Sequence, residues 1–388
     1  MADTSVKYFH SDMRGAPVLD GTAGSLIGLL RATLVDGFGL ANVDSVSVKN
    51  GVATLKVSAG HSAETGCVIL VAGSPVDALN GEQRVTATTP ASVSFATTLS
   101  DQDISGAITV KQAPGGWEMP FNANNKAAFR SANVKSTRRF AFIDDTFGMY
   151  AKICGYESMT AIDAGVNRFP STSQITDVFW TKSNAANKSA RRWMIATDGM
   201  LVHFVREFYP DYLISRVHCF GDFISTLPGD PYAFIINGDY RDSSQSYNFY
   251  ESELNYSAND KGQACTYCPQ SYTGFGGSCA LIRWVPRITP FIGGAGILSG
   301  KEGGLPFPNP TDGGFYLSTI SLFESGNTAT VLRGSLPGVP FIQNNLPSQL
   351  EFGTRITGAN NMTGRILFAF RTGTGGSGLV DITGPWRA

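Results

Sequence analysis

Alternating apolar and polar residues dominate the first third of the chain and predict β-strands joined by tight turns. Residues 45–57 alternate in this way around Asn50-Gly51, the residue pair most typical of a two-residue hairpin turn. Such a turn places Val46 opposite Leu55 on one side of the sheet. The same pattern predicts four further strands, at residues 67–72, 84–88, 93–97 and 107–111.

One segment near the start has helical rather than strand periodicity. Leu26, Leu29 and Leu34 fall on one face at helical spacing, and Gly37 follows the last of them. Glycine after the last periodic residue is a common helix stop. The spacing predicts one short amphipathic helix over residues 25–34.

Further along, the predicted strands become apolar on both faces. Residues 193–197 and 200–205 flank Asp198-Gly199, and nearly every side chain in them is apolar. Strands of this kind are covered on both sides, either inside a sandwich or beneath a partner. Other strands are predicted at residues 139–143, 150–155, 178–181, 218–225, 232–237, 280–286, 315–323, 329–333, 350–357, 365–370 and 379–382.

These elements predict an all-β protein. Residues 1–39 form an N-terminal arm with the short helix, and residues 40–112 a small β-sandwich or barrel module. The break at residues 113–116 (APGG) leads to a larger β-sandwich-like region over residues 113–388, which has room for two subdomains. Residues 238–278, rich in Ser, Asn, Tyr and Gly, have no clear period and predict a long loop that carries contacts.

Composition and charge exclude several classes of protein. Charged residues make up 16 % of the 388 residues, below the ~25 % usual for globular domains. Net charge is −1 and basic residues are scattered, which argues against a nucleic-acid partner. No apolar run approaches the ~18 residues of a membrane span, and the polar start lacks a signal-peptide core. We therefore expect folding in a cytoplasm, without a membrane span.

Three of the six cysteines lie close together in the predicted long loop. Cys265-x-x-Cys268 and Cys279 have a spacing that could hold zinc if His218 or Cys219 supplied a fourth ligand. A zinc ribbon would contain a second close pair, which this chain lacks. Small packed thiols or a local disulfide explain the same residues, so we expect reduced thiols, no metal and no other cofactor.

Acidic residues flanked by predicted strands are the candidates for glycoside cleavage, which needs two carboxyl groups ~5–10 Å apart. Turn capping is the more common role of aspartate at such positions. We therefore expect no catalytic activity. The acids concerned are Asp144, Asp145, Glu157, Asp198 and Asp222.

Tyrosines are concentrated in the predicted loop and offer large, rigid surfaces with one polar end. Such residues suit a contact with a neighbouring subunit or with a sugar ring equally well. The candidates for this contact surface are Tyr247, Tyr250, Tyr256, Tyr267 and Tyr272.

Residues in the first hundred resemble small β modules of tailed-bacteriophage structural proteins. The resemblance is carried by residues 60–62 (GHS), 67–73 (CVILVAG), 79–86 (LNGEQRVT) and 94–96 (SFA). Within this phrase, Asn80-Gly81 predicts a chain reversal in which both residues have positive φ.

Other stretches resemble a family of virion structural proteins encoded by tailed bacteriophages and prophages. They are residues 8–19 (YFHSDMRGAPVL) with 24–27 (GSLI), 182–186 (KSNAA), 218–223 (HCFGDF), 333–338 (RGSLPG) and 381–387 (DITGPWR). The resemblance implies a virion component of the tail or baseplate, without an assigned activity or catalytic residue.

The main hypothesis is thus a structural component of a phage virion. It would assemble as a homo-oligomer and contact other tail or baseplate proteins. The first alternative is a receptor-binding tail protein that holds host-surface carbohydrate. The weaker alternative is a tail enzyme that degrades polysaccharide.

Overall fold

The computed structural model describes residues 3–207, 215–241, 249–250, 266–273, 277–284, 305–325, 330–359, 362–372 and 376–387. Over these residues the protein is almost entirely β-structure, which confirms the predicted fold class.

The predicted helix is present and docks through its leucine stripe. After strand β1 (Lys7–His10), helix α1 (Ser25–Leu30) continues as a π-helical turn (Arg31–Asp36). The leucines of the stripe are fully buried. The helix ends at Gly37, whose φ of 71° lies in the left-handed region that glycine adopts without a Cβ clash. None of the described helices is long and apolar enough to cross a bilayer.

Eight antiparallel strands from the next seventy residues form one sheet. Its order is β2-β9-β5-β6-β7-β4-β3-β8. The strands are β2 (Ala41–Asn42), β3 (Ser45–Lys49), β4 (Val52–Lys56), β5 (Val68–Ala72), β6 (Gly81–Thr89), β7 (Ser92–Ala96), β8 (Gln102–Ile104) and β9 (Thr109–Gln112).

The hairpin of β3 and β4 has the predicted register. Val46 pairs with Leu55, and both side chains are buried. The two turn residues, Asn50 and Gly51, have φ values of 51° and 74°, as a type I′ turn requires.

Strand β6 bends this sheet over its own core. A bulge between Val85 and Ala87 divides β6 into a first half paired with β5 and a second half paired with β7. Bulges increase local twist and let one strand serve two halves of a sheet. Val71 and Phe95, one from each half, are both buried in the same core.

The predicted reversal at Asn80-Gly81 is wrong. Asn80 has an extended φ of −70°, and only Gly81 has a positive value, 102°. The Asn80 side chain instead bonds the backbone of Ser74 in both directions, at 2.9 and 2.8 Å. The residue that suggested a hairpin turn therefore fixes a longer connection between β5 and β6.

A six-stranded sheet follows, in which β10 to β14 pair in sequence order and β15 pairs with β13. The prediction missed β10, β11 and β14, although Asn124 and Asn125 between β10 and β11 have the positive φ values of a hairpin turn. The strands are β10 (Trp117–Ala123), β11 (Lys126–Ser131), β12 (Phe140–Asp144), β13 (Tyr150–Ala161), β14 (Ala164–Phe169) and β15 (Val178–Thr181).

A ten-stranded sheet forms the centre of the molecule, in the order β1-β16-β17-β18-β20-β23-β24-β25-β26-β19. Every residue of β16 and β17 is buried, which confirms that these strands are covered on both faces. The new strands are β16 (Trp193–Thr197), β17 (Leu201–Glu207), β18 (Ser215–Asp222), β19 (Ile224–Ser225), β20 (Phe234–Asn237), β23 (Thr266–Cys268), β24 (Cys279–Trp284), β25 (Leu317–Ser325) and β26 (Thr330–Ile342).

The expected loop over residues 238–278 contains strand structure where it is described. Strand β23 lies within the ten-stranded sheet, and β21 (Tyr240–Arg241) pairs with β22 (Phe249–Tyr250). Strands of two or three residues are too short to show alternation in the sequence. The C-terminal sheet consists of β27 (Arg355–Thr357), β28 (Ile366–Arg371) and β29 (Ser377–Asp381).

Arg84 ties the two ends of the chain to the eight-stranded sheet. Its guanidinium donates to the carbonyl of Gly66 at 2.7 Å, of Val6 at 3.1 Å and of Thr383 at 3.0 Å. One continuous apolar core also runs from this sheet into the six-stranded and ten-stranded sheets. The segments around Val6 and Thr383 are therefore part of the packed structure.

Candidate functional site

A groove of about 490 Å³ lies beside the C-terminal segment. We call it the terminal groove. Its volume lies within the ~300–1,000 Å³ typical of ligand sites. It is lined by Ile224, residues 317–319, residues 335–340, Met362, Thr363, Arg365, Asp381, Pro385 and Trp386.

An irregular pairing of β25 and β26 creates one wall of the terminal groove. The register passes from Ser318 opposite Phe341 to Ile320 opposite Leu336. Thr319 alone therefore faces the four residues 337–340, which lie outside the regular ladder. Such bulges bend a strand and re-aim its side chains.

Trp386 is held firmly against this bulge. A Cβ on Gly338 would lie 2.6 Å from the indole ring, and the φ of Gly338 is +82°, so glycine is required there on both counts. The indole Nε1 donates to the Asp381 carbonyl at 3.0 Å. The ring centroid of His203 lies 5.2 Å from that of Trp386 on another side.

His203 is a structural support and not a titrating group at neutral pH. Its Nε2 lies 2.7 Å from the carbonyl oxygen of Pro337, so the nitrogen carries the proton and donates it. Burial lowers the pKa of His203 to about 4. The neutral imidazole of His203 thus holds the bulged residues 337–340 in place through its bond to Pro337.

Arg387 joins the C-terminal segment to two turns of the ten-stranded sheet. Its Nε donates to Asp198 Oδ2 at 2.6 Å, and its Nη atoms donate to the carbonyls of Asp222 and Phe223. Charge-assisted bonds of this kind are stronger than neutral ones. The outer wall of the terminal groove is therefore fixed to the central sheet.

The chemistry of the terminal groove is that of hydroxyls, strand backbone and one ion pair. The hydroxyl-bearing residues are Ser318, Thr319, Ser335 and Thr363. Arg365 is already paired with Asp381 at 3.1 Å and donates to the Pro385 carbonyl at 2.7 Å. Hydroxyl and backbone groups of this kind form hydrogen bonds with an extended, uncharged peptide segment.

A second surface surrounds Tyr272, the most exposed of the described candidate tyrosines. Its side chain is 42 % exposed, its hydroxyl donates to Asp230 at 2.6 Å, and its ring lies 4.3 Å from the Arg333 guanidinium. Tyr232 meets the same ring edge to face, with the centroids 6.1 Å apart. We call Tyr272, Arg333, Asp230 and Glu324 the Tyr272 cluster.

Glu324 lies beneath Tyr272 and remains a carboxylate. Arg333 donates to it at 2.8 Å, the backbone N–H of Tyr272 at 3.0 Å and the hydroxyl of Thr273 at 2.7 Å, and Ser271 donates as well. Burial alone would raise the pKa of Glu324, but the hydrogen bonds, those of Ser271 first, outweigh it and lower the pKa to about 2. The exposed ring of Tyr272 is therefore supported from below by a carboxylate that is fixed in position and ionised.

The structure separates the predicted tyrosines. Tyr267 is wrong as a contact residue, because it is only 4 % exposed and pairs with Ile236 and Ala280 inside the sheet. Tyr250 lies in β22, and its side chain is outside the described residues, as are Tyr247 and Tyr256 entirely. Tyr272 alone among them is shown at the surface.

The predicted zinc ligands come together only in part. The sulfurs of Cys268 and Cys279 lie 3.0 Å apart on neighbouring strands, and Cys265 is outside the described residues. His218 is instead buried in β18 of the same sheet, stacked on Trp180 at 5.3 Å and within 3.5 Å of Asp239. Over the residues that are described, three potential ligands do not meet at one point.

Two of the candidate acids serve turns of the central sheet. Asp198 accepts from the backbone N–H groups of Met200 and Leu201, at 3.0 and 2.8 Å. Asp222 accepts from the N–H and hydroxyl of Thr137, at 2.7 and 2.6 Å, and burial raises its pKa to about 6. Both carboxylates are engaged by the fold.

The other candidate acids are engaged as well. Asp144 caps the turn at Thr146 with a bond of 3.1 Å, and Glu157 lies 3.8 Å from Arg139. Asp145 pairs with Lys182 in the interior.

No motif in the sequence identifies the partners of Tyr272 directly. These partners are isolated charged residues in or beside apolar strands, namely Asp230, Glu324 and Arg333. An isolated charge in an apolar strand is the one sign in the sequence that they are buried together.

Protein-family models and curated protein sequences contain no match to this chain.

Some of the stretches noted in the sequence analysis lie against one another in the fold. Residues 333–338 and 381–387 supply part of the lining of the terminal groove, and Arg387 donates to the carbonyls of Asp222 and Phe223 in residues 218–223. Residues 182–186 meet the N-terminal arm, where Lys182 donates to the Thr22 carbonyl at 2.6 Å. Stretches far apart in sequence thus form two compact junctions.

Proposed function

We propose that this protein is a structural component of a tailed-bacteriophage virion, placed in the tail or baseplate and acting through contacts between subunits. The observation that carries the proposal is that two phage-like stretches, residues 333–338 and 381–387, line the terminal groove, while a third, residues 218–223, is bonded to the second of them through Arg387. The proposal assigns the protein no catalytic activity.

A rigid frame around the terminal groove supports this role. Arg84 holds both chain ends to the eight-stranded sheet, and Arg387 holds the C-terminal segment to the central sheet. Sites on rigid elements present their surface with little loss of conformational entropy on binding. A subunit contact that recurs many times in a particle benefits from such preorganisation.

The partner of the groove would be an extended segment of a neighbouring subunit. Thr319 and the bulged residues 337–340 offer hydroxyl and backbone groups beside the exposed side chain of Ile224. Extended peptides are recognised by main-chain hydrogen bonds together with pockets for alternate side chains.

The first test is the protein content of purified particles. Mass spectrometry of virions from a phage that encodes the chain should find it in a fixed number of copies per particle. Its absence from intact virions would reject the proposal outright.

The second test fills the groove. Thr319→Arg places a large charged side chain in the groove, and we expect loss of incorporation into particles at unchanged folding stability. Thr160→Arg is the matched control, because Thr160 is also an exposed strand threonine but lies in β13 of the six-stranded sheet. Normal incorporation of the Thr319 variant would exclude the groove as the contact.

A receptor-binding function is the second candidate, and the Tyr272 cluster favours it. An exposed aromatic ring that is held in place by the charged groups beneath it suits a sugar, since the ring face stacks on C–H groups. In particles carrying Tyr272→Ala, normal assembly with lost adsorption to cells would favour this candidate, and failed assembly would favour the structural role.

A further inference from the structure

Cys268 and Cys279 occupy directly opposed positions at the ends of β23 and β24. Directly opposed residues of an antiparallel pair have Cα atoms ~4.5–5.5 Å apart, within the ~4.4–6.8 Å range of disulfides. Their sulfurs are 3.0 Å apart, closer than the ~3.5–4.0 Å of an ordinary non-bonded contact between carbon atoms. The backbone therefore brings the two sulfurs within reach of a bond.

The surroundings favour reaction. Nη1 of Arg333 lies 3.5 Å from the Cys268 sulfur and 3.8 Å from that of Cys279. A neighbouring guanidinium stabilises a thiolate, the reactive form of cysteine. Cys279 is partly exposed whereas Cys268 is buried, so a reagent from solvent reaches Cys279 first.

We propose that Cys268 and Cys279 form an oxidative modification site that closes to a disulfide with a small-molecule disulfide such as oxidised glutathione. The Cys279 thiol passes its proton to the neighbouring Cys268 sulfur, 3.0 Å away, as it attacks one sulfur of the reagent, which releases one thiolate and leaves a mixed disulfide. Cys268 then gives up its proton and attacks the Cys279 sulfur, releasing the second thiol. Two protein thiols are oxidised, and one reagent disulfide is reduced to two thiols.

The disulfide would lock the segment that carries Tyr272. Residues 269–278 connect the two cysteines, and Gln270 within this segment accepts a bond of 3.0 Å from Arg333. The segment also contacts the turn that follows β14, since Ser278 accepts from the Ser171 N–H at 3.0 Å. Closing the base of the segment restricts its opening, so Tyr272 would be held in place after oxidation.

The test is disulfide mapping of the full chain. Protein purified under reduction is treated with oxidised glutathione, blocked with an alkylating reagent and digested without reduction. We expect one linked peptide pair containing Cys268 and Cys279, and an intact mass lower by two hydrogen atoms. Cys268→Ser and Cys279→Ser should each abolish the link, whereas Cys154→Ser, a buried cysteine of β13, should leave it unchanged.

The disulfide map of the wild-type protein tests the proposal even if a variant fails to fold. Full alkylation of both cysteines after treatment, a bond to Cys265 instead, or a stoichiometric metal on the purified protein would each overturn the proposal.

A second measurement tests whether the disulfide holds the segment around Tyr272 in place. Chymotryptic cleavage at Tyr272 should be at least about tenfold slower in the oxidised protein, because short-loop disulfides contribute more than the ~1.4 kcal/mol that a factor of ten represents. Equal cleavage rates in the two states would show that the disulfide does not lock the segment.

Discussion

Two buried groups of charge in this protein are built differently. Asp145 and Lys182 are both fully buried, and Asp145 also accepts from the N–H groups of Leu26 and Ile27 at the start of helix α1. In the Tyr272 cluster, Arg333 and Glu324 are buried almost as completely, but one exposed tyrosine ring covers them. The partners of Asp145 and Lys182, by contrast, are all supplied by the interior of the fold.

The difference indicates what each group does. Asp145 supplies a negative charge to a helix N-terminus from 119 residues away, so its pair with Lys182 joins the arm to the six-stranded sheet. The Tyr272 cluster joins strands to a surface segment and orients an aromatic ring toward solvent. We therefore expect the first group to govern stability and the second to govern contacts.

The largest expected effect is that of Lys182→Met. It leaves the Asp145 carboxylate buried without its cation, and removing one partner of a buried pair costs ~3–5 kcal/mol. Urea denaturation should show this loss of the free energy of unfolding. Lys126→Met is the control: its pair with Asp163 is largely exposed at 3.5 Å, and exposed pairs contribute ~0–1 kcal/mol. Equal losses in the two variants would contradict the comparison.

Arg333→Met should cost less, about 1.5–3 kcal/mol, the range for a hydrogen bond to a charged group. Glu324 keeps its donors from Ser271 and Thr273 when the guanidinium is lost, whereas Asp145 in the Lys182 variant keeps only backbone donors. The same denaturation series measures it. A loss larger than that of Lys182→Met would reverse the order of the two groups.

The first group also shows what sequence reasoning could reach. The helix stripe was predictable because its spacing is local, and so was the register of the hairpin around Asn50-Gly51. The pairing of Asp145 with Lys182 was not, because nothing in the sequence shows that the residues following two different strands, β12 and β15, meet at one helix end. Tyr272 was identified as a candidate, but Tyr267, in the same predicted loop, was wrong, because a three-residue strand shows no period.

Acid titration also distinguishes the Tyr272 cluster from the Asp145–Lys182 pair, because Glu324 belongs to the cluster. Its folded-state pKa, about 2, lies below the ordinary 4.5, so its stabilisation is present above pH 4.5 and is lost as the pH falls towards 2. Glu324→Gln should therefore be less stable than the wild type at pH 7 and equal to it near pH 2. We expect a difference at neutral pH of about 1–2 kcal/mol, below the ~3 kcal/mol of the full shift, because nearby solvent screens the charge.

The measurement for Glu324 is the free energy of unfolding at several pH values between 2 and 7 for both proteins. A constant difference across this range would show that the carboxylate of Glu324 is not the titrating group.

The smallest effect on stability is expected for Tyr272→Phe, which removes one hydroxyl from the surface. Asp230 still accepts from Ser225 and from the Tyr232 N–H, both at 2.8 Å, so its carboxylate stays bonded. The loss should stay within about 1 kcal/mol, the usual net value of a hydrogen bond.

Tyr272→Ala separates contact from stability, because it also removes the ring that lies over Arg333. Unfolding should again change little, whereas incorporation into particles or adsorption to cells should fall. Tyr267→Ala would not serve this purpose, because that buried ring belongs to the core and its loss alone costs several kcal/mol. If Tyr272→Ala left assembly and adsorption unchanged, the cluster would be a second structural group, and the contrast with the Asp145–Lys182 pair would be one of exposure only.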